Sequence, residues 1–172
     1  MTFFTQISYF APRRITVSTS GFVPGMRRLA ELKKEYNLAV SLHAVDDATR
    51  ALLIPDHLRY PVKEILDAAD YYRDTAGRQY TLEYTLISGV NDSVEAARAL
   101  GKTAFDHHAK VNLIPLNHVE ERQFRPSTPG HMKAFIKVLE DAGVFKNDEN
   151  GKAAEEKAAR AEAMEAATLY AT

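Results

Sequence analysis

Four short runs of apolar and β-branched residues divide the chain, and each ends in a polar cluster. They are Ile15-Thr16-Val17 before Ser18-Thr19-Ser20-Gly21, Leu38-Ala39-Val40 before Ser41-Leu42-His43, Tyr80 to Ile87 before Ser88-Gly89-Val90-Asn91-Asp92, and Val111 to Leu116 before Asn117. Their length and composition predict buried strands, and each is followed by apolar residues at helical spacing. Pro24 starts a helix with Met26, Leu29, Ala30 and Leu32 on one face, running to about Glu35. A short helical turn is predicted between Asp46 and Leu53. After Pro61, Val62, Ile65, Leu66, Ala69 and Tyr72 form a face that Gly77 stops. Asn91 or Asp92 is expected to cap the next helix, whose face is Val94, Ala97, Leu100, Ala104 and Phe105. Ser127 or Thr128 opens the last, with Met132, Phe135, Ile136, Leu139 and the stop Gly143. Four alternations of strand and helix predict an α/β fold with a parallel sheet and right-handed crossovers. The carboxyl ends of such strands line the ligand crevice, so the polar clusters predict one shared site there.

Composition narrows the function classes. At 172 residues, 45% of them hydrophobic, the chain suffices for one cored domain. Residues 1–145 are expected to form that domain, and 146–172 a charged, alanine-rich helical tail. The tail reads as a solvated terminal helix, since alanine buries little area, with partner-helix binding as the alternative. Twenty-two Lys and Arg against 23 Asp and Glu give no overall field for nucleic acid or anionic membrane. No apolar stretch approaches the roughly 18 to 20 residues of a membrane span, and Met1 to Thr5 lacks the pattern of a signal peptide. A cytoplasmic protein with no membrane partner is the expectation. The chain contains no cysteine, which excludes from it disulfides, thiolate zinc sites, cysteine nucleophiles and cysteine-held iron-sulfur clusters.

Individual polar residues each have a plain reading beside a functional one. Ser18 and Ser41 read as strand-end hydroxyls bonded to backbone, or as ligand contacts. His43 reads as a satisfied structural histidine or as part of the same site. Glu83 reads as a carboxylate facing a ligand or as one held by a structural Arg or Lys. His107 and His108 lack a carboxylate or cysteine at ligand spacing and read as a surface pair, not a metal site. Arg13, Arg14, Arg27, Arg28, Lys33 and Lys34 form a local basic bias that could meet phosphate, although Glu31 and Glu35 interleave the last four as on a solvated helix face. Glu120 to Pro126 brings two arginines and Phe124 near the site end, a hint of RNA contact.

Taken in order, Arg13 to Pro24, Leu38 to Ala44, Ile54-Pro55, Gly89-Val90-Asn91-Asp92-Ser93 and Val111 to Asn117 resemble the radical S-adenosylmethionine (SAM) RNA methyltransferases of the RlmN and Cfr type. The resemblance runs from about Pro12 to Gly143. It implies a partial radical SAM barrel, strands three to six of a (β/α)6 barrel. It also implies methylation of adenine carbon 2 in 23S ribosomal RNA, and in the RlmN branch of certain transfer RNAs. Carried over position by position, it places S-adenosylmethionine contacts at Ser18, Ser41, Leu42, His43 and Asn117. Hydroxyl, imidazole and amide groups suit a ligand with a ribose, an adenine edge and a zwitterionic amino acid.

Against that family the chain lacks the Cys-x-x-x-Cys-x-x-Cys loop that holds a 4Fe-4S cluster, the Gly-Glu-Pro motif of strand two, and the cysteine that carries the methyl group. The expectation is a truncated or divergent carboxyl-terminal half that keeps part of the S-adenosylmethionine pocket, has no catalytic residue or metal ligand of its own, and is inactive alone. The alternative is a non-catalytic nucleotide- or RNA-binding module, or one half of a split barrel. A third reading is an unrelated cofactor-independent enzyme with His43 as base. A barrel missing two strands also predicts self-association through the edge near Ile15, next to Phe3, Phe4, Tyr9 and Phe10.

Overall fold

The computed structural model describes residues 11–116 and 123–144. The four predicted strands form there as β1 (Thr16–Thr19), β2 (Asn37–Ser41), β3 (Tyr80–Leu86) and β4 (Lys110–Pro115). They make one all-parallel sheet in sequential order, β1-β2-β3-β4. Five helices intervene or follow: α1 (Val23–Glu31), α2 (Asp47–Leu53), α3 (Val62–Ala76), α4 (Val94–Asp106) and α5 (Pro129–Asp141).

Strand alternation decides which face is covered. Leu38, Val40 and Leu42 of the β2 segment and Tyr80 and Leu82 of β3 pack with Met26 and Ala30 of α1 and with Ile65, Leu66, Ala69 and Tyr72 of α3. Tyr84, Leu86, Val111 and Leu113 continue that face against Leu100 of α4 and Phe135, Ile136 and Leu139 of α5. The other face carries Ser18, Ser41, Thr81, Glu83, Thr85 and Asn112, and no described helix packs on it. Parallel strands occur almost only with both faces covered or closed into a barrel. Sequential strand order with helices on one side is therefore a barrel arc, whereas a doubly wound sheet reverses its order and carries helices on both sides. The bare polar face is the inside of that arc.

Helix ends explain where the sequence reading slipped. Neither Asn91 nor Asp92 caps α4; Ser93 does, its hydroxyl accepting from the Ala96 N–H. Both earlier residues are buried and spent on other bonds. Thr128, not Ser127, caps α5. Phe105 is 66% exposed, because it follows Ala104 by about 100° of helix rotation and leaves the apolar stripe. Leu32 is likewise exposed, since α1 ends at Glu31 and Lys33 turns left-handed at φ 49°. Gly77 ends α3 with φ 66°, as its position predicts.

Two charged features are structural. Arg13 pairs with Glu35 at 2.7 Å, which removes part of the basic bias. His107 is not a free surface histidine: its Nδ1 lies 2.7 Å from Asp70, which also binds Arg73 and the Tyr80 hydroxyl. This cluster ties α3 to the end of α4, at the amino-terminal side of the sheet. Among the described residues no group of three potential ligands could hold a metal ion, and no helix is long and apolar enough to cross a membrane.

Candidate functional site

Register arranges the open face in layers. Ser18 on β1 pairs with Ala39 on β2, which pairs with Thr81 on β3 and then Lys110 on β4. One layer higher are Ser41, Glu83 and Asn112, and higher again Thr85 and Ile114, with the His43 ring held at that level by the Thr85 N–H. Side chains two residues apart on a strand share a face, so these layers stack toward the carboxyl ends. Ser18 and Ser41 thus occupy one face at successive heights, roughly 7 Å apart along the strands, and the His43 ring follows beside Thr85, whose N–H it accepts.

Ser41 Oγ donates to Glu83 Oε2 at 3.0 Å. The Glu83 carboxylate faces the open side with no lysine or arginine bonded to it among the described residues, which favours the ligand-facing reading. Ser18 is exposed, and its hydroxyl makes no hydrogen bond to a described residue. The Leu42 side chain is fully buried on the helix side, which leaves any contact at this position to its backbone. Its N–H donates to the Glu83 carbonyl and its own carbonyl accepts from Arg50, which fixes the strand end. Asn117 and Glu120 to Arg122 lie outside the described residues, as do Phe3, Phe4, Tyr9, Phe10 and the tail. A cavity of about 590 Å³ opens on the lower part of this face, lined by Ala39, Thr81, Glu83, Asn112 and Lys110 among others.

His43 is the most constrained member. Its backbone is left-handed, φ 57°, a region costly for a residue with a Cβ. Its Nδ1 accepts the Thr85 N–H at 3.1 Å, which requires the neutral ring to carry its proton on Nε2. Burial pushes the imidazole below its ordinary pKa; Glu83 opposes that shift and Arg50 adds to it.

Three side chains hold the strand ends: Arg50, to which the sequence reading gave no role, and Asn91 and Asp92, which it offered only as helix caps. Arg50, fully buried, donates to the carbonyls of Leu42, Tyr60 and Ser20, at 3.2, 3.2 and 2.5 Å. It thereby joins the loops after β1 and β2. Gly21 makes room for it: at φ 96°, an added Cβ would lie 2.6 Å from Ile65 Cδ1 and 3.3 Å from the guanidinium. Asn91 bridges β2 and β3. Asp92 accepts from the Gly89 N–H, the Ser127 hydroxyl and His131, joining the loop after β3 to the start of α5. A basic residue among apolar neighbours in α2 and an Asn-Asp pair after a strand were the available signals.

Burial alone would raise the Asp92 carboxyl, but the bonds from Ser127, the Gly89 N–H and His131 outweigh it and hold the pKa below the ordinary carboxylate value. A depressed folded-state pKa stabilises above the unfolded value of about 3.9, and that stability disappears as pH falls through the folded value. Asp92→Asn is expected to cost about 1–3 kcal/mol at neutral pH. In urea titrations the gap between variant and parent should narrow as pH falls from the unfolded carboxyl value of about 3.9 through the parent's lower folded value; a constant gap across pH would count against the assignment.

Comparison with known proteins places this geometry. No family model matches the chain. It is 43% identical over 132 residues to the probable dual-specificity RNA methyltransferase RlmN of Clostridium perfringens, a match covering 77% of this chain and 38% of that protein. Against the dual-specificity RNA methyltransferase RlmN 1 of Myxococcus xanthus the identity is 47% over 128 residues, 74% of this chain and 36% of that one. Among solved structures, a radical SAM methyltransferase from Sphaerobacter thermophilus superposes with a TM-score of 0.74 at 42% identity, covering 78% of this chain and 40% of that one. A domain of a pyruvate-formate lyase-activating enzyme from Bacteroides vulgatus shares the fold at 17% identity and a TM-score of 0.59. The chain spans about 38% of the length of the first of these relatives. In sequence and in fold alike, the chain resembles a part of the RlmN-type radical SAM RNA methyltransferases.

Proposed function

We propose that this chain supplies the S-adenosylmethionine-holding side of a radical SAM RNA methyltransferase barrel, one acting on adenine carbon 2 of 23S ribosomal RNA and transfer RNA in the cytoplasm. The observation that carries this reading is the bare, polar inner face of a parallel arc. There the exposed Ser18 hydroxyl, the Ser41–Glu83 pair and the His43 ring line the same face. These groups suit the donors and acceptors of an adenosyl and amino-acid ligand. Asn117, carried over from the resemblance, completes the set.

The residues present fit S-adenosylmethionine and do not fit a cluster. In the family the cluster supplies the electron that cleaves the cofactor, but thiolates hold it, and this chain has none. Its own groups bind and orient. With the strand-two and cluster contacts absent, the dissociation constant should be on the order of 0.1 to 1 mM. Titration calorimetry checks this. Binding tighter than about 1 µM, or binding unchanged by Asn117→Ala, would place the pocket elsewhere.

One feature suits a barrel completed by a further unit. β1 has a single strand neighbour among the described residues, and beside its free edge lies an apolar cavity of about 560 Å³ lined by Val17, Phe22, Met26, Leu29 and Leu32. An edge unpaired among the described residues, beside an apolar groove, invites a further strand-helix unit, from a longer form of this polypeptide, another polypeptide or a second copy. Light scattering at micromolar concentration should show dimers or larger species; a clean, soluble monomer would argue against this association.

A further inference from the structure

The ladder between β2 and β3 ends at Ser41 and Glu83, and the chain then departs from extended geometry. The Glu83 carbonyl accepts from two successive N–H groups, Leu42 at 3.0 Å and His43 at 3.3 Å. The Thr85 N–H, one rung higher, is taken by the His43 ring instead of a strand carbonyl. Beyond that last rung, the carbonyls of His43 and Thr85 both accept from Asn91 Nδ2, each at 2.8 Å. Asn91 Oδ1 accepts the Ile87 N–H at 2.7 Å, and the Asn91 carbonyl accepts the Tyr84 hydroxyl at 3.0 Å. Asn91 itself is 1% exposed. Two carbonyls opposite one amide atom and an N–H opposite the other leave a single chemically sensible orientation of the carboxamide.

From this we infer that Asn91 is a positioning residue for ligand binding: it clamps the His43 and Thr85 backbones together, which seats the Thr85 N–H on Nδ1 and leaves Nε2–H as the ring's one donor. The inference rests on the S-adenosylmethionine reading of the site, to which it adds the group that sets the histidine's tautomer. The chemistry demands an amide. Aspartate fits the space but offers no donor to the two carbonyls, serine supplies one hydrogen where two are used, and glutamine is a methylene too long. Without the clamp, the left-handed conformation of His43 loses the bond that offsets its strain. The neutral ring that burial favours then has no fixed proton position.

The test combines nuclear magnetic resonance with a double-mutant cycle on the full chain. In the 15N-labelled protein, a coupling across the hydrogen bond should link the Thr85 amide nitrogen to His43 Nδ1, and the ring shifts should report the Nε2–H form. Absence of that coupling, or an Nδ1–H ring, overturns the proposal whether or not any ligand binds. Asn91→Ala should remove the coupling and mix the tautomers; Asn91→Asp, of the same size, should do likewise and serves if the alanine variant does not fold. Retention of the coupling in the folded variant overturns the proposal. With S-adenosylmethionine as probe, Asn91→Ala should weaken binding about tenfold in the parent and less than about twofold in a His43→Ala background, because the residue acts through the ring. Equal losses in both backgrounds would make Asn91 a purely structural residue and overturn the assignment. A parent that binds no S-adenosylmethionine at millimolar concentration sinks the pocket reading instead, and the resonance experiment still decides the tautomer.

Discussion

Arg50→Ala should lower stability by about 4 kcal/mol, among the largest effects of any single substitution here. The physical reason is that three backbone carbonyls, those of Ser20, Leu42 and Tyr60, depend on one buried guanidinium. Removing it leaves the buried Leu42 carbonyl and the half-buried Ser20 and Tyr60 carbonyls without their donor, at about 1–3 kcal/mol for each that water does not reach. Burial pulls the guanidinium's pKa below its ordinary value, with Asp47 opposing and Arg59 adding. Its reference value is so high that the group stays charged. Bonds to a charged donor are the stronger kind. The thermal midpoint, followed by circular dichroism, should fall by about 10 to 15 °C. Arg50→Lys should recover only part of this, because an ammonium lacks the planar fork that reaches three separate loops. A loss under about 1 kcal/mol in Arg50→Ala would show that water or neighbouring N–H groups take over those carbonyls. The same clamp joins the loops after the two strands that carry Ser18 and Ser41, so affinity for S-adenosylmethionine should fall even where the variant remains folded.

The second large effect is a complete loss. The family reaction uses three cysteines to hold the cluster and one to carry the methyl group, whereas this chain has no cysteine at all. Reconstituted with iron and sulfide under reducing conditions, the purified chain should take up no stoichiometric cluster and form neither 5′-deoxyadenosine nor methylated adenine. A cluster absorbance that survives gel filtration, or 5′-deoxyadenosine above a protein-free control, would overturn this. Mixing in a separate polypeptide that bears the cysteine loop is the positive arm. If turnover appears, the chain is half of a split enzyme, and Asn117→Ala in this half should abolish the regained activity.

Much of the architecture was legible along the chain because it depends on short-range pattern. Period-two alternation in Tyr80 to Leu86, buried at every other residue, marks a strand with one covered face. The apolar spacing of Val62, Ile65, Leu66, Ala69 and Tyr72, with Gly77 beyond, marks a helix and its end. The motif order that carries the resemblance is likewise a one-dimensional property; the strands put Ser18 and Ser41, two of the residues it singles out, on the bare face.

Other features depend on which residues become neighbours after the strands pair. Leu42 stands between two site residues in sequence, yet the two-residue period of a strand turns it to the helix side. His107 seemed to lack a carboxylate because Asp70 is far away in the chain and close only once α3 lies beside the end of α4. Asn91 and Asp92 look like helix caps, since short polar side chains after a strand usually serve the nearest N–H groups. Their partners instead include His43 and Ser127, remote in sequence and beside them in the barrel arc. Arg50 looks like one more charge in a short helix until the loops after β1 and β2 converge on it. The sequence by itself therefore determined the order of strands and helices, the absence of any thiolate and the family resemblance. Tertiary structure alone decided which polar groups face the lumen and which buried ones hold them there, because a hydrogen bond across a sheet depends on register and not on distance along the chain.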